Sequence, residues 1–362
     1  MGSVSRSALS TDGAAPVRLM IVDDSPIARA VLSRMLSSYK EFEVVALAGN
    51  AGEALDALAT LSVDIVLLDV EMPGTSGLEA LPEILRRGNG ARVLIVSSLA
   101  EDGAASTVRA LALGAADTLP KPGTGNFGGR FSEVLADRLR RIGRSQRDTP
   151  EAPPQPGPSL TLRAMPQAKL SCLALGASTG GLHALGEFLR ALPPRIDAPI
   201  LITQHLPAVF MPFFARQIEA ASGRPALVAA EGQALRPDLI LIAPGDAHLT
   251  LERTGVRVSV KLDRTASSSG CLPSVDPMLR SLGEVYGKGG VGVVLSGMGR
   301  DGLIGSVRLV EQGGAVIAQD RETSAVWGMP RAVAEAGLAS AVLPPAQLAR
   351  RIASHVETGA WR

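Results

Sequence analysis

Cysteine is scarce in this sequence, with only Cys172 and Cys271 among 362 residues. Two isolated cysteines provide neither a disulfide framework nor the paired spacing of a structural zinc site. The first residues, Met1 to Pro16, also lack the charged and then apolar pattern of a secretory signal. Together these absences predict a protein of a reducing, cytoplasmic compartment.

Net charge is nearly absent as well, at a formal value of +1. A chain so close to neutrality has no general attraction to nucleic acid or to an anionic membrane, and no helix-turn-helix pattern favours a transcription factor. No apolar run approaches the roughly 18 residues of a membrane-spanning helix. Hydrophobic residues nevertheless make up 46% of the chain, and the length favours two packed domains.

Prolines concentrate in residues 144–168, a segment with few apolar residues. Such a composition predicts an extended, semi-rigid linker rather than a structured loop. The linker would join a domain at 17–143 to a second domain at 169–356. We further expect residues 1–16 to be a disordered leader and 357–362 to be a short tail.

Short apolar runs alternate with helical spacing in both blocks. Strands that are apolar throughout indicate parallel sheets covered on both faces. We therefore predict an α/β protein with two doubly wound parallel-sheet domains, the second Rossmann-like with a small β-hairpin formed by Leu249–Glu252 and Val256–Leu262. The other strands predicted in the second block are Leu173–Leu175, Ile200–Thr203, Leu227–Ala229, Leu239–Ile242, Gly292–Leu295 and Ala315–Ala318.

Polar side chains follow the predicted strands of the first block, namely Asp23, Asp24, Asp69, Ser97 and Lys121. Ligands of open α/β sheets bind beyond the carboxyl ends of the strands. Three carboxylates at one edge repel one another unless a hard cation such as Mg²⁺ binds there. A lysine and a hydroxyl at the same edge suit a phosphoryl group carried by Asp69. Any one aspartate alone would more often be a helix cap, but five matching positions at the strand ends favour a site.

This set resembles the receiver domain of two-component response regulators, over the whole of 17–143. The matching segments are Val22-Asp23-Asp24-Ser25, Leu68-Asp69-Val70-Glu71-Met72-Pro73-Gly74, Val96-Ser97-Ser98 and Pro120-Lys121-Pro122. The resemblance implies that Asp69 accepts a phosphoryl group from a histidine kinase. It also implies that Asp24, Asp69 and the Glu71 carbonyl hold Mg²⁺.

The same resemblance makes Asp23 the second member of the acidic pair, Ser97 the switch hydroxyl and Lys121 the lysine that pairs with the phosphate. The family often carries an aromatic residue three positions before the lysine. This chain has Thr118 there, so we do not expect an aromatic side chain to act as the switch.

The second block contains the pattern Gly176-Ala-Ser178-Thr179-Gly180, which follows an apolar run and precedes a helical one. Gly-x-Ser-x-Gly is typical of a nucleophile elbow. Glycines permit the sharp strand-to-helix turn, and amide groups at the helix start stabilise negative charge. A phosphate-cradling turn or a simple helix cap at Ser178 would have the same pattern, so the partner residues decide.

A serine nucleophile needs a base and an orienting carboxylate. His205 directly follows the next predicted strand, at the same sheet edge as Ser178, and is the better base. Asp301 lies in a Gly-rich turn after another strand and is the better carboxylate, although an aspartate there also suits a helix cap. The weaker candidates are His248 for the base and Asp246 or Asp320 for the carboxylate.

The second block resembles the catalytic domain of chemotaxis protein-glutamate methylesterases over nearly all of 169–356, and receiver, linker and esterase stand in that family's order. The matching segments are Gly176-Ala-Ser-Thr-Gly-Gly181, Gln204-His205-Leu-Pro207, Ile242-Ala-Pro-Gly245 with His248, Pro273-Ser-Val-Asp276, Ser296-Gly-Met-Gly-Arg-Asp-Gly302, Ala318-Gln-Asp320 and Gly328-Met-Pro330. The resemblance implies hydrolysis of glutamyl methyl esters, and often deamidation of glutamines, on chemoreceptor signalling helices. No cofactor is expected for that reaction.

Carried over, Ser178, His205 and Asp301 form the triad, and the backbone N–H groups near Thr179 and Met298 are the oxyanion donors. The unphosphorylated receiver is expected to lie over the catalytic face until phosphorylation of Asp69 weakens that interface. No nucleic-acid contact and no direct membrane insertion are expected.

Two departures from the family occur near the expected site. Cys271-Leu272 replaces a common His-Arg pair before Pro273, and Met211 follows Phe210 where a threonine is usual, so a thioether is expected in place of a hydroxyl. Cys271 is a weak alternative nucleophile because its sequence context offers neither an elbow nor an obvious base.

Two other classes of function stay open. The second block would serve as a binding or regulatory module if its elbow had lost catalysis. It would bind a nucleotide if the turn held phosphate, although neither a P-loop lysine nor a GxGxxG pattern follows the strand.

Overall fold

The computed structural model describes residues 15–97, 101–121, 129–147 and 160–359. The predicted leader up to residue 14, the centre of the predicted linker at 148–159 and the last three residues lie outside these ranges. Among the helices in the described ranges, none is both long enough and apolar enough to cross a bilayer.

The apolar runs of the first block form one parallel five-stranded sheet in the order β2-β1-β3-β4-β5. Its strands are β1 (Val17–Val22), β2 (Phe42–Ala48), β3 (Ile65–Leu68), β4 (Arg92–Ser97) and β5 (Asp117–Pro120). The helices that cover the sheet are α1 (Pro26–Leu36), α2 (Ala51–Thr60), α3 (Gly77–Arg87), α4 (Glu101–Ala112) and α5 (Gly129–Arg147). Because all five strands are parallel, their carboxyl ends meet at one edge.

The second block forms a parallel seven-stranded sheet in the order β14-β13-β12-β6-β7-β9-β8 and an antiparallel hairpin, β10-β11. The strands are β6 (Cys172–Ala177), β7 (Ile200–Gln204), β8 (Ala226–Val228), β9 (Ile240–Ile242), β10 (His248–Thr254), β11 (Arg257–Asp263), β12 (Gly290–Val294), β13 (Ala315–Gln319) and β14 (Ala339–Leu343). The helices are α6 (Gly181–Ala191), α7 (Met211–Ser222), α8 (Val275–Tyr286), α9 (Leu303–Glu311), α10 (Met329–Glu335) and α11 (Pro345–Thr358), with short 3-10 helices at Ala208–Phe210 and Gly287–Gly289.

The strand order reverses direction at β6, which pairs with β7 on one side and with β12 on the other. Ligands of doubly wound sheets bind in the crevice at such a point. The loops that follow β6, β7 and β12 carry Ser178, His205 and Asp301 respectively. The topology therefore brings the three predicted side chains to one crevice.

The predicted fold class is confirmed, and the differences concern individual segments. The edge strand β14 was not predicted, since its residues Ala339–Leu343 contain two alanines and a serine instead of an apolar run. Helix α5 continues to Arg147, inside the segment predicted as linker. Later in the same segment, Arg163 N donates to Ala339 O at 2.9 Å and Met165 is buried, so this part packs on the second domain.

The two domains are joined by apolar packing. Helix α4 of the first domain packs on α6, α7 and the 3-10 helix before α7. Val108 and Leu111 belong to the same buried cluster as Leu182 and Phe214 of the second domain. Met211 lies in this cluster and is only 1% exposed. The thioether that was expected near the site therefore lies in the buried core, and Met211 is not among the described residues that line the cavity.

Candidate active site

The turn after β6 has the geometry that the Gly-x-Ser-x-Gly pattern predicts. Gly180 precedes α6 with a φ of 73°, a left-handed conformation that favours glycine. On the facing loop, a Cβ added at Gly297 would lie 2.9 Å from Ser178 Cβ. Ser178 N donates to Ser296 O at 2.9 Å, so the turn is pinned to the loop after β12. Ser178 is half-buried at the helix start.

His205 and Asp301 form a short ion pair beside this turn. His205 N donates to Ala177 O at 3.2 Å, which places the histidine next to the elbow. Its Nε2 donates to Asp301 Oδ2 at 2.7 Å. The Asp301 side chain is 2% exposed, and that of His205 is 16% exposed. Because Nε2 is committed to Asp301, Nδ1 is the nitrogen that remains for proton transfer.

Asp301, which lies in the loop after β12, also caps the N-terminus of helix α8. Its Oδ2 accepts from Val275 N at 2.7 Å and its Oδ1 from Asp276 N at 3.3 Å. Ser274 Oγ donates to Oδ1 at 2.7 Å. These bonds satisfy amide groups at the positive end of the helix. The carboxylate is thus fixed by the same contacts that begin α8, and its orientation toward His205 is determined in advance.

His248, the weaker candidate for the base, is not available for proton transfer. It is 1% exposed. Its Nδ1 accepts from Ser274 N at 2.9 Å, and its Nε2 donates to Thr265 O at 2.9 Å. Both ring nitrogens are therefore engaged, and the one bonded to Ser274 N helps to position Ser274, whose hydroxyl donates to Asp301.

The ion pair shifts the pKa of both partners. Burial alone would lower the pKa of His205, but its hydrogen bonds to Asp301 and Cys271 and the nearby negative charge raise it to about 9. Burial opposes the charge of Asp301, yet the bonds from His205, Ser274 and Val275 hold its pKa well below the usual range. The resting site is accordingly an imidazolium–carboxylate pair.

Ser178 and His205 are neighbours but, within the described part of the chain, no hydrogen bond joins them. Apo enzymes often have long catalytic contacts that tighten when substrate binds. Thr179 N and Met298 N donate no hydrogen bond to any described residue, whereas Ser178 N is engaged. These two amides are thus available for an oxyanion.

A cavity of about 750 Å³ contains this site. Ser178, His205, Cys271, Leu272 and Met298 all line it, together with residues of the first domain. The expectation that Cys271 lacks a base is wrong, because the structure brings it beside His205. The hydrogen bond between Cys271 and His205 lowers the pKa of the Cys271 thiol, although burial opposes the shift. Both departures from the family at 271 and 272 consequently face the cavity.

Two residues of the site were quoted in the sequence patterns but given no role. Ser274 holds Asp301, as described above. Gln204 Nε2 donates to Ser178 O at 2.8 Å and its side chain is buried at the base of the elbow. Gln204 could have been identified as a polar residue next to the predicted base at a strand end, and the signal for Ser274 was its place in the matching segment Pro273-Ser-Val-Asp276.

The first domain brings its predicted residues together at the carboxyl edge of its sheet. Lys121 Nζ lies 2.9 Å from Asp23 Oδ2 and 2.6 Å from Asp69 Oδ2. One carboxylate oxygen from each of Asp23, Asp24 and Asp69 lies within 4.8 Å of the others. Burial raises the pKa of Asp69, and the bond to Lys121 partly offsets that effect. Hard oxygen donors at this spacing fit a divalent cation such as Mg²⁺.

The predicted switch hydroxyl is bonded to the helix at the domain interface. Ser97 Oγ lies 2.7 Å from Thr107 Oγ1, and both side chains are buried. Thr107 belongs to α4, which packs on the second domain. Thr118, which stands at the usual aromatic position, is also buried. A hydroxyl pair thus links the sheet edge that carries Asp69 to the interface.

The loop between α4 and β5 contacts the elbow itself. Gly180 N donates to Ala116 O at 2.7 Å, and Thr179 Oγ1 donates to Asp117 Oδ2 at 3.3 Å. Nearby, His183 Nδ1 donates to Ala112 O at 3.1 Å. The first domain therefore forms hydrogen bonds with polar groups of the elbow and of the start of α6, in addition to covering them.

Comparisons with known proteins agree with this architecture. The family model described as CheB methylesterase matches residues 173–352, and that described as response regulator receiver domain matches residues 19–126. A protein-glutamate methylesterase/protein-glutamine glutaminase of Caulobacter vibrioides is 42% identical over 348 residues, 94% of this chain and 99% of that protein. One of Paramagnetospirillum magneticum is 39% identical over 360 residues, 92% of this chain and 94% of that protein.

Among solved structures, the CheB methylesterase catalytic domain of Thermotoga maritima is 34% identical and covers 52% of this chain and 99% of its own, with a TM-score of 0.50. The two family models match in the order receiver, then esterase, and the relatives match over nearly the full length of this chain. The chain belongs to the CheB methylesterase family, in the form that carries a response regulator receiver domain ahead of the esterase domain.

Proposed function

We propose that this protein hydrolyses glutamyl methyl esters on the signalling helices of chemoreceptors, deamidates glutamines on the same helices, and is switched by phosphorylation. The observation that carries the proposal is that Ser178 and His205 line one cavity, while the buried Asp301 is hydrogen-bonded to His205. Membership of the family and the double activity in the names of its relatives support the same reaction. The reaction would adjust receptor methylation during sensory adaptation.

In the proposed reaction, Ser178 Oγ attacks the ester carbonyl carbon while His205 Nδ1 takes the hydroxyl proton. The carbon–oxygen bond to the methoxy group then breaks, and His205 returns the proton to the leaving methanol. Water attacks the acyl-enzyme and releases the γ-carboxylate and Ser178. For a glutamine, ammonia leaves in place of methanol.

Asp301 and the backbone amides stabilise the charges that develop. Asp301 holds the ring of His205 in one orientation and stabilises the imidazolium that forms during attack. Thr179 N and Met298 N would donate to the oxyanion. This assignment is supported by the fact that neither amide donates a hydrogen bond to a described residue. No cofactor is proposed for this reaction.

Esterase activity should rise with pH over a range where an ordinary histidine is already deprotonated. Below its pKa of about 9, His205 carries a proton and cannot accept another from Ser178. We expect kcat/KM to increase about tenfold per pH unit between pH 7 and 8.5 and to level off above pH 9. A profile of kcat/KM that is already level at pH 7.5 would contradict this expectation.

Cys271→Ser provides the matched comparison for the pH profile. The hydrogen bond and charge of Cys271 contribute to the raised pKa of His205. The midpoint of the profile should therefore move to lower pH in this variant, toward the unperturbed value of about 6.5.

For the receiver domain, we propose that Asp69 is the phosphoacceptor and that Lys121 pairs with the phosphoryl group. Asp24, Asp69 and the Glu71 carbonyl would hold Mg²⁺, which neutralises charge on the phosphoryl oxygens when it is bound. Asp23 completes the acidic pair. A histidine kinase would supply the phosphoryl group.

Phosphorylation would act by loosening the contact of the receiver with the elbow. Once Ser97 Oγ turns toward a phosphoryl group on Asp69, its bond to Thr107 is lost and α4 is free to shift. The bonds of Ala116 and Asp117 to the elbow depend on the position of this helix and the loop after it. Phosphorylation thus changes the populations of closed and open states, without new chemistry at Ser178.

Asp69→Asn should abolish activation. The amide cannot form the acyl phosphate, so a low-molecular-weight phosphodonor should leave methanol release from the variant at the rate seen without donor. Asp56→Asn, an exposed position on α2, is the control and should respond as the unmodified chain does. Undiminished stimulation of Asp69→Asn would rule out Asp69 as the regulatory site.

The central test is methanol release from a methylated chemoreceptor, measured with and without the phosphodonor. The proposal expects release that increases with the donor. The two other classes of function, a binding module or a nucleotide-binding enzyme, expect no release in either condition.

The remaining assignments belong to the same proposal. The predicted units are 17–143 for the receiver, 144–168 for the linker and 169–356 for the esterase; we extend the receiver to Arg147, where α5 ends, and assign residues 163–165 to the surface of the esterase domain. The partners are chemoreceptor signalling helices and a histidine kinase, and the receiver–esterase interface lies within the chain. The site of action is the cytoplasm, where an ATP-dependent kinase would be found.

A further inference from the structure

The departure at Cys271 creates a set of ligands that the proposed ester hydrolysis does not use. A ring nitrogen of His205, Sγ of Cys271 and a carboxylate oxygen of Asp301 lie within 4.8 Å of one another. All three side chains converge from different segments: the loop after β7, the loop before α8 and the loop after β12.

We propose that His205, Cys271 and Asp301 form an inhibitory binding site for Zn²⁺ or a similar borderline-soft divalent cation. Nitrogen, sulfur and carboxylate oxygen are the three ligand types that Zn²⁺ takes from proteins, and three protein ligands leave a fourth position for water. Thiolate selects against Mg²⁺, so this site differs in chemistry from the all-oxygen cluster of the receiver.

The geometry requires only side-chain adjustment. Tetrahedral Zn²⁺ with bonds of about 2.0–2.3 Å separates its ligand atoms by about 3.3–3.8 Å. The candidate ligand atoms of the three residues are at most 4.8 Å apart, so the more distant ones would move together slightly. His205 Nε2 and Asp301 Oδ2, which are 2.7 Å apart, would move slightly away from each other. Cys271 is half-buried and His205 lines the same cavity of about 750 Å³, so the cation has a route to both.

Binding would switch off the proposed base. The cation would replace the proton shared by His205 and Asp301, and the thiol proton of Cys271 would be released to solvent. With its lone pair on the metal, His205 can no longer accept the proton of Ser178. This effect rests on the proposed esterase function, whereas the binding of metal itself does not.

Co²⁺, which absorbs visibly when it replaces Zn²⁺, tests the site directly on the full-length chain. We expect one equivalent to give a sulfur-to-cobalt charge-transfer band that excess Zn²⁺ removes. Cys271→Ser should abolish this band, since the one other cysteine, Cys172, is completely buried. Asp24→Asn, in the receiver cluster, should retain it. Absence of the band in the unmodified chain, or its persistence in Cys271→Ser, would overturn the proposal.

Inhibition of methanol release provides the second measurement. Each protein is compared with its own rate without added Zn²⁺, in excess Mg²⁺, and a chelator should restore activity. The Zn²⁺ concentration for half inhibition should be at least about tenfold higher in Cys271→Ser. Cys271→His keeps a ligand and should remain sensitive while lacking the sulfur band. Equal sensitivity of the serine variant and the unmodified chain would refute the site. If the chain releases no methanol at all, the proposed function fails, and the cobalt spectrum alone decides.

Discussion

Replacing Ser178 by alanine should reduce methanol release by about 10,000-fold or more, because no other group then forms the acyl-enzyme. The side chain sits on a turn that is pinned at Ser178 N and at its carbonyl oxygen, which accepts from Gln204. Loss of one hydroxyl from this half-buried position leaves those backbone contacts intact. The variant should therefore fold and bind receptor helix normally, with the loss confined to kcat.

The matched control is Ser171→Ala, just before the opposite end of the same strand, where the hydroxyl donates to Lys169 O at 3.2 Å and lies away from the cavity. It should retain the full rate. A second comparison addresses Cys271, which has a base beside it. If Ser178→Ala stayed active and Cys271→Ser became inactive, the nucleophile would be the thiol.

Asp301→Asn should lower activity and stability together, which distinguishes it from the serine variant. The amide cannot accept from His205, Ser274 and the α8 amides as the carboxylate does. Because the tautomer and ring orientation of His205 are then no longer fixed, we expect kcat to decrease by about 10,000-fold. Breaking a buried ion pair predicts a loss of about 3 kcal/mol in the free energy of unfolding. Initial rates and thermal melting of the full chain measure the two effects.

Asp320→Asn is the appropriate control, because Asp320 also ends a strand and its Oδ1 accepts a backbone bond, from Thr323 N at 3.1 Å. It should melt close to the unmodified chain and keep its activity. A drop in melting temperature for Asp301→Asn without a loss of rate would show that the carboxylate acts only as the cap of α8.

Much of the architecture was predictable because it depends on local pattern. Buried parallel strands are apolar along their whole length, so runs such as Cys172–Leu175 can be recognised as strands from the sequence. A parallel sheet then places every strand end at one edge, and Ser178, His205 and Asp301 could be associated without knowledge of any distance. The strand at Ala339–Leu343 was not predicted, because small residues at a sheet edge do not form an apolar run.

What the sequence could not provide were contacts that depend on packing between segments. The bond of Ser97 to Thr107 links a strand end to α4, the helix that packs on the second domain. Met211 lies in the buried cluster that also contains residues of α4, whereas its position in the chain suggested a place near the active site. Cys271 lies 66 residues after His205 in the sequence, and only the fold of the hairpin and α8 brings them together.

The bond from Gly180 N to Ala116 O also has a thermodynamic consequence. In the proposed function, the receiver and a receptor helix would compete for the surface around the elbow, so each equilibrium would be linked to the other. If phosphorylation of Asp69 strengthens receptor binding by some factor, receptor binding must favour the phosphorylated receiver by the same factor. A methylated receptor would then be an effector as well as a substrate, and receptor-bound enzyme would retain its phosphoryl group more favourably than free enzyme.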